Sequence, residues 1–221
     1  GAFNAYVARP KAAKAPAVVV IQEIFGVNQV MRDLTDSYAS AGYVAICPDL
    51  FWRIEPGIDI TDQSEAEWKR AFELFNDFDV DQGVKDIAAP IGHIRGDPGC
   101  SGPVGSVGYC LGGLLAFLTA TRTDIDAAVS YYGVGIEQRL PEASVLVTPI
   151  LLHIAQEDEF TPKAAQALVT EALKNRSLAE IHTYPDRNHA FARKGGQHYD
   201  ATDAAKAEAR TLAFFHGRLV R

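Results

Sequence analysis

The segment Gly108-Tyr109-Cys110-Leu111-Gly112-Gly113 constrains the fold of this 221-residue chain more than any other. Residues 103–107 before it form a short apolar run that reads as a buried strand. Residues 114–121 after it are apolar and rich in leucine and alanine, and read as a helix. A strand that hands over to a helix within one residue needs a tight, strained turn. Glycines on either side of that turn keep side chains from clashing with the neighbouring strand and helix. The same turn places the helix N-terminus beneath Cys110, where its positive dipole end favours a thiolate and a nearby oxyanion alike.

The rest of the chain repeats the strand-then-helix order. Residues 17–21 and 43–47 are apolar runs without alternation, which predicts strands covered on both faces. Residues 127–132, 149–154 and 180–184 read as further strands. Helices are expected over 27–41, 64–78, 80–94, 162–174 and 202–219, with Pro56-Gly57 marking a turn in the loop 51–60. Alternation of this kind implies an α/β fold, a mostly parallel sheet with helices on both faces. No internal repeat or low-complexity linker interrupts it, so residues 1–221 are expected to form one domain.

Composition removes several classes of function. A hydrophobic content of 48% with 22% charged residues predicts a globular chain. A net charge of −7 argues against nucleic acid or an anionic membrane as the main partner. No run of about 18 apolar residues is present, so no membrane span is expected. The three cysteines, Cys47, Cys100 and Cys110, are too few and too scattered for a disulfide framework. With no charged segment leading into an apolar core near Gly1, they suggest a reducing, cytoplasmic setting. An acidic surface without an apolar stripe suggests a monomer or a weak dimer.

In open parallel sheets, reactive groups gather beyond the carboxyl ends of the strands. Two loops in those positions carry candidate partners for Cys110. Glu157-Asp158-Glu159 follows the strand 149–154, and Asp186-Arg187-Asn188-His189 follows the strand 180–184. His189 would hold the thiol as thiolate, and a carboxylate behind it would fix the imidazole tautomer. Asp158, four residues before the helix-starting proline, is favoured over Glu157 and Glu159, which read as solvated loop charges. The other histidines lie within expected helices or strands or lack a partner, and Cys47 and Cys100 read as structural. Glu23 stands at the mouth of the first buried strand, where a carboxylate needs a partner to offset desolvation. The N–H groups of Ile24 and Leu111 are the candidate oxyanion donors.

The elbow resembles the Gly-x-nucleophile-x-Gly turn of the α/β-hydrolases, with cysteine in place of serine, and the order nucleophile, acid, histidine is theirs. More specifically, the chain resembles the dienelactone hydrolase (carboxymethylenebutenolidase) family over essentially its whole length. The match rests on Gln22-Glu-Ile-Phe-Gly-Val-Asn28, Cys47-Pro-Asp-Leu50, Gly108-Tyr-Cys-Leu-Gly-Gly113, Tyr131-Tyr-Gly-Val-Gly135, Asp158 and His189-Ala-Phe-Ala-Arg193, in that order.

The resemblance implies an α/β-hydrolase fold and a Cys110, His189, Asp158 triad, with Glu23 near the resting thiol. It implies no metal and no organic cofactor. The implied substrate is a small unsaturated lactone bearing a carboxylate, opened to a maleylacetate-type acid in aromatic-compound breakdown. Arg193 would clamp that carboxylate, with Phe25, Tyr131, Phe72 and Phe75 in the substrate pocket. A second family arginine falls at Trp68, followed by Lys69 and Arg70, and Phe72 replaces a tyrosine. Loss of a charge-assisted hydrogen bond costs about 1.5–3 kcal/mol, or tenfold and more in affinity. Arg53 is a candidate substitute cation. A broader small-ester hydrolase, a binding protein without turnover and a redox sensor are the alternative readings.

Overall fold

The apolar runs become strands because both of their faces are covered. Residues 17–21 are wholly inaccessible, and 44–47 nearly so. The computed structural model describes residues 1–220. Its strands are β1 (Ala5–Ala8), β2 (Ala15–Ile21), β3 (Val44–Pro48), β4 (Cys100–Tyr109), β5 (Ala127–Tyr131), β6 (Ile150–Ala155) and β7 (Ala179–Tyr184). They form one seven-stranded sheet in the order β1-β3-β2-β4-β5-β6-β7. Every pairing is parallel except that of β1 with β3.

The helices are α1 (Gln29–Ser40), α2 (Glu65–Asp77), α3 (Val80–Arg95), α4 (Leu111–Arg122), α5 (Lys163–Leu173) and α6 (Ala201–Leu219). Asn28, Ser64, Asp79 and Asp200 cap α1, α2, α3 and α6 by accepting a backbone N–H three residues on. Each such cap contributes about 1 kcal/mol and sets where its helix starts. This is why α1 begins at Gln29 and not at the expected residue 27. Two neighbouring residues of β4 show the two faces of the sheet. A Cβ at Gly105 would meet Phe215 and Leu219 of α6 at 2.8 and 2.9 Å, whereas Ser106 Oγ lies 2.8 Å from Thr119 Oγ1 of α4. Successive side chains point to opposite faces, so α6 and α4 cover opposite sides. Tyr38 of α1 meets Phe215 edge-on, which places α1 beside α6, while α3 packs against α4.

Three features differ from the sequence expectation. Strand β4 is longer than 103–107 and begins at Cys100. The antiparallel edge strand β1 was not expected, nor was the 3-10 helix Ile136–Val145. No helix among the described residues is long and apolar enough to cross a membrane. Cys47 and Cys100 are buried and form no disulfide.

Candidate active site

The elbow at the end of β4 has the strain that its glycines predict. Cys110 sits at φ 57°, ψ −115°, a conformation that L residues rarely adopt. Such geometry costs on the order of 1–3 kcal/mol and persists only when its surroundings enforce it. Cys110 N–H donates to Tyr131 O at 3.1 Å, and Cys110 O accepts from Gly113 N–H at 2.9 Å. A Cβ at Gly108 would lie 1.8 Å from Gly112 O, and one at Gly112 would lie 2.4 Å from Ile21 O. The close approach of β4, α4 and β2 therefore depends on the missing side chains.

Leu111 is the first residue of α4, so its N–H has no intrahelical acceptor. The Ile24 N–H, in the loop after β2, likewise makes no backbone bond within that loop. That loop is fixed by Gln22, which is fully buried. Its amide donates to Glu23 O at 3.3 Å and accepts from Leu50 N–H at 3.0 Å. Among the described residues, both N–H groups thus stand without a backbone acceptor.

His189 and Asp158 are brought to the same place from the loops after β7 and β6. His189 Nδ1 lies 2.9 Å from Asp158 Oδ2 and 3.1 Å from Oδ1, with both side chains buried. Asp158 Oδ1 also accepts from Phe160 N–H and Thr161 N–H. Its carboxylate is thereby held in place, and Nδ1 is committed to it, leaving the other ring nitrogen for Cys110, which lines the same cleft. Burial alone would push the imidazole pKa down. The Cys110 thiolate and the Asp158 carboxylate outweigh it, and raise His189 to about 10. This favours the imidazolium form of His189 at neutral pH.

Glu23, Arg193 and Asp62 form a second charged group at the floor of the site. Arg193 Nε stands 3.6 Å from Glu23 Oε2, and Nη1 stands 3.5 Å from Asp62 Oδ2. At those distances neither contact is a good hydrogen bond. Arg193 Nε, Arg193 Nη1 and Glu23 Oε1 are buried without a partner. The guanidinium lies over the Phe25 ring, 5.1 Å from its centroid. Above this floor Cys110, His189 and Arg193 open on one cleft. Its walls are aromatic, with Trp68 stacked on Phe72 and edge-on to Phe25, and Phe75 beside them.

Most of the expected site residues meet here: Cys110, His189, Glu23, Ile24, Phe25, Trp68, Phe72 and Arg193 line one cleft, with Asp158 behind the histidine. Tyr131 does not. Its ring stacks on Tyr109 and its hydroxyl reaches Thr211 Oγ1 at 2.7 Å, because the alternation of β5 turns it toward α6. The next residue, Tyr132, turns out of the strand at φ 37° and sets its ring against His189. Arg53 is also elsewhere, with Nε and Nη2 each 2.8 Å from the Asp86 carboxylate. Arg70 pairs with Glu55 and Glu73, and Glu157 pairs with Lys163. His153 is locked between Tyr184 and Thr211 within the fold.

Sequence reasoning missed Asp62, Tyr132, Phe160 and Asn188. Phe160 packs edge-on to His189, and Asn188 Oδ1 accepts from both Glu159 N–H and His189 N–H, tying the acid loop to the histidine loop. Asn188, adjacent to the candidate histidine, was the one with a signal, since asparagine commonly bonds local backbone. Among the described residues no cluster of three His, Cys, Asp or Glu side chains is arranged to hold a metal ion.

The sequence and the fold both match known proteins. The model of the dienelactone hydrolase family matches residues 3–219. A carboxymethylenebutenolidase of Pseudomonas putida is 42% identical over 96% of this chain and 90% of its own length. A relative in Azospirillum brasilense, which bears the same name provisionally, is 48% identical over 99% of this chain and 95% of its own. A crystal structure from Klebsiella pneumoniae, provisionally described as a dienelactone hydrolase, superposes with a TM-score of 0.78 at 30% identity, covering 96% of this chain and 91% of that one. The chain belongs to the dienelactone hydrolase family.

Proposed function

We propose that this chain hydrolyses the ester bond of a small lactone, a carboxylated dienelactone being the first candidate, through Cys110, His189 and Asp158. The observation that carries this reading is the strained Cys110 sharing one cleft with a histidine that a buried carboxylate orients. The names of the relatives, carboxymethylenebutenolidase, support the choice of substrate.

In this reading the Cys110 thiolate attacks the lactone carbonyl carbon and a C–S bond forms. The carbonyl electron pair moves onto oxygen, where the Leu111 and Ile24 N–H groups receive it. As the tetrahedral intermediate collapses, the ring C–O bond breaks and His189 delivers its proton to the leaving oxygen. The opened ring stays on the enzyme as a thioester. Water then attacks the thioester, His189 takes its proton, and the thiolate leaves with release of the acid, a maleylacetate-type product if a dienelactone was opened. Asp158 stays ionised throughout and holds the imidazole in register. Glu23 faces Arg193 and lies in the cleft with the thiol, and Arg193 offers unpartnered donors to the substrate carboxylate. Three unpaired thiols suit a reducing cytoplasm, in which the protein acts as one domain, a monomer or a weak dimer.

The test is hydrolysis of purified cis- and trans-dienelactone, followed by loss of substrate absorbance, with Cys110→Ala as the blank. Turnover that disappears in the variant is the expected result. No turnover by the parent protein, or turnover retained by the variant, would overturn the proposal.

A further inference from the structure

Among the described residues Arg193 is the one permanent cation lining the cleft, and it is already bracketed by two acids. It lines both the inner aromatic cleft and the wider polar mouth, and Asp62 lines that mouth. Asp62 is not there by accident of a loose loop. The Trp68 indole N–H donates to Asp62 O at 3.0 Å, and Thr61 N–H and hydroxyl both donate to Glu67 Oε1 at 2.9 Å. The start of α2 thus fastens residues 61 and 62, and leaves the Asp62 carboxylate, with its side chain 11% exposed, beside Nη1 of Arg193.

The two acids neutralise Arg193 without satisfying it. Both of its facing N–H groups remain unpartnered, and a carboxylate group of a ligand is the right shape and charge to take them. That ligand would bring a third negative charge to a single positive one. In a poorly hydrated cleft such like charges repel strongly. The residue that fixes Asp62 by its indole is also the residue that stands where the family resemblance places a second arginine. The cleft therefore sets two fixed anions against the Arg193 guanidinium.

We infer that Asp62 is a specificity-determining residue, a resident anion at Arg193 that sets how far the site discriminates against substrates carrying a free carboxylate. This deepens the proposed function and rests on the same cleft being the substrate site. Asp62 acts before any chemistry, on binding, and lowers the preference for a carboxylated substrate that Arg193 alone would give.

The test uses two probes of equal shape, benzoate and its neutral amide, benzamide. Their dissociation constants are measured by titration calorimetry on the parent protein, on Asp62→Asn and on Trp68→Phe. The expected result is that Asp62→Asn raises the preference for benzoate over benzamide by about tenfold or more, the size of one charge-assisted hydrogen bond. Trp68→Phe keeps the ring but frees the loop, and moves the preference in the same direction by a smaller factor. Benzoate binding that emerges only in Asp62→Asn also supports the inference. An unchanged ratio, a parallel shift of both probes, or no benzoate binding to any form overturns it. Phenyl acetate hydrolysis by the parent protein, compared with Cys110→Ala, is read in parallel. Its absence would count against the hydrolase reading, while the calorimetric ratio still decides the role of Asp62.

Discussion

Replacing Gly108 by alanine should damage this protein more than any other single methyl group added at the elbow. The new Cβ would lie 1.8 Å from Gly112 O and 2.3 Å from Gly112 C, both backbone atoms that no rotamer change can move. Reaching even a tight contact requires β4 and α4 to separate by more than about 1 Å, against the close packing of a protein interior. Helix α4 has nowhere to go, since every residue from Leu111 to Ala120 is buried. Overpacking that side chains can absorb costs about 1–3 kcal/mol, and a backbone clash belongs at or above the top of that range. At about 3 kcal/mol a domain of this size loses roughly 6–12 °C in Tm. A displacement of about 1 Å at Cys110 should also lower turnover about a hundredfold. The control is Gly92→Ala in α3, where an added Cβ meets nothing within 4 Å and helix propensity should add up to about 1 kcal/mol. Urea denaturation and phenyl ester hydrolysis of both variants make the assay. If Gly108→Ala kept the parent's stability within about 0.5 kcal/mol and turned over normally, the argument that glycine is required there would fail.

Asp158→Asn preserves shape but removes the charge that fixes the His189 tautomer. It should lower kcat by about 10³–10⁴ with little change in KM, and a loss confined to KM would contradict that role. The pKa of His189 is raised from 6.5 to about 10, so its charged form stabilises the fold fully below about pH 6.5 and the contribution is lost as pH rises through 10. Urea denaturation from pH 6 to 11 should show the parent losing stability relative to His189→Gln across that window, and a constant difference would refute the ion pair. Arg193→Gln should raise KM for a carboxylated lactone at least about tenfold relative to a neutral ester, and an equal effect on both would remove Arg193 from carboxylate recognition.

How much of this was legible in the sequence depended on how local the signal was. Strands β2 and β3 are buried on both faces, so an unbroken apolar run announces them. β1 is not legible, because its residues alternate between exposed and half-buried over only four positions and its place is set by pairing with β3. The 3-10 helix Ile136–Val145 carries a proline and little apolar periodicity. At the site, Cys110, His189 and Asp158 could be found because loops after parallel strands converge. The error at Tyr131 was one residue wide. Strand alternation assigns it to the α6 face, and the chain leaves the strand at Tyr132 with positive φ, which no local pattern signals. Asp62 was invisible for a different reason. Its position depends on an indole six residues away and on an arginine that arrives from the far end of the sheet.

The central claim is that Cys110 is the nucleophile and carries the acyl group. The most direct measurement is mass spectrometry of protein quenched during turnover of a slowly deacylated phenyl ester, with the modified peptide sequenced. The account predicts one added acyl mass on the peptide containing Cys110, absent from Cys110→Ala and sharply reduced in His189→Gln. An acyl group on another residue, or hydrolysis that persists in Cys110→Ala with no adduct, would contradict it.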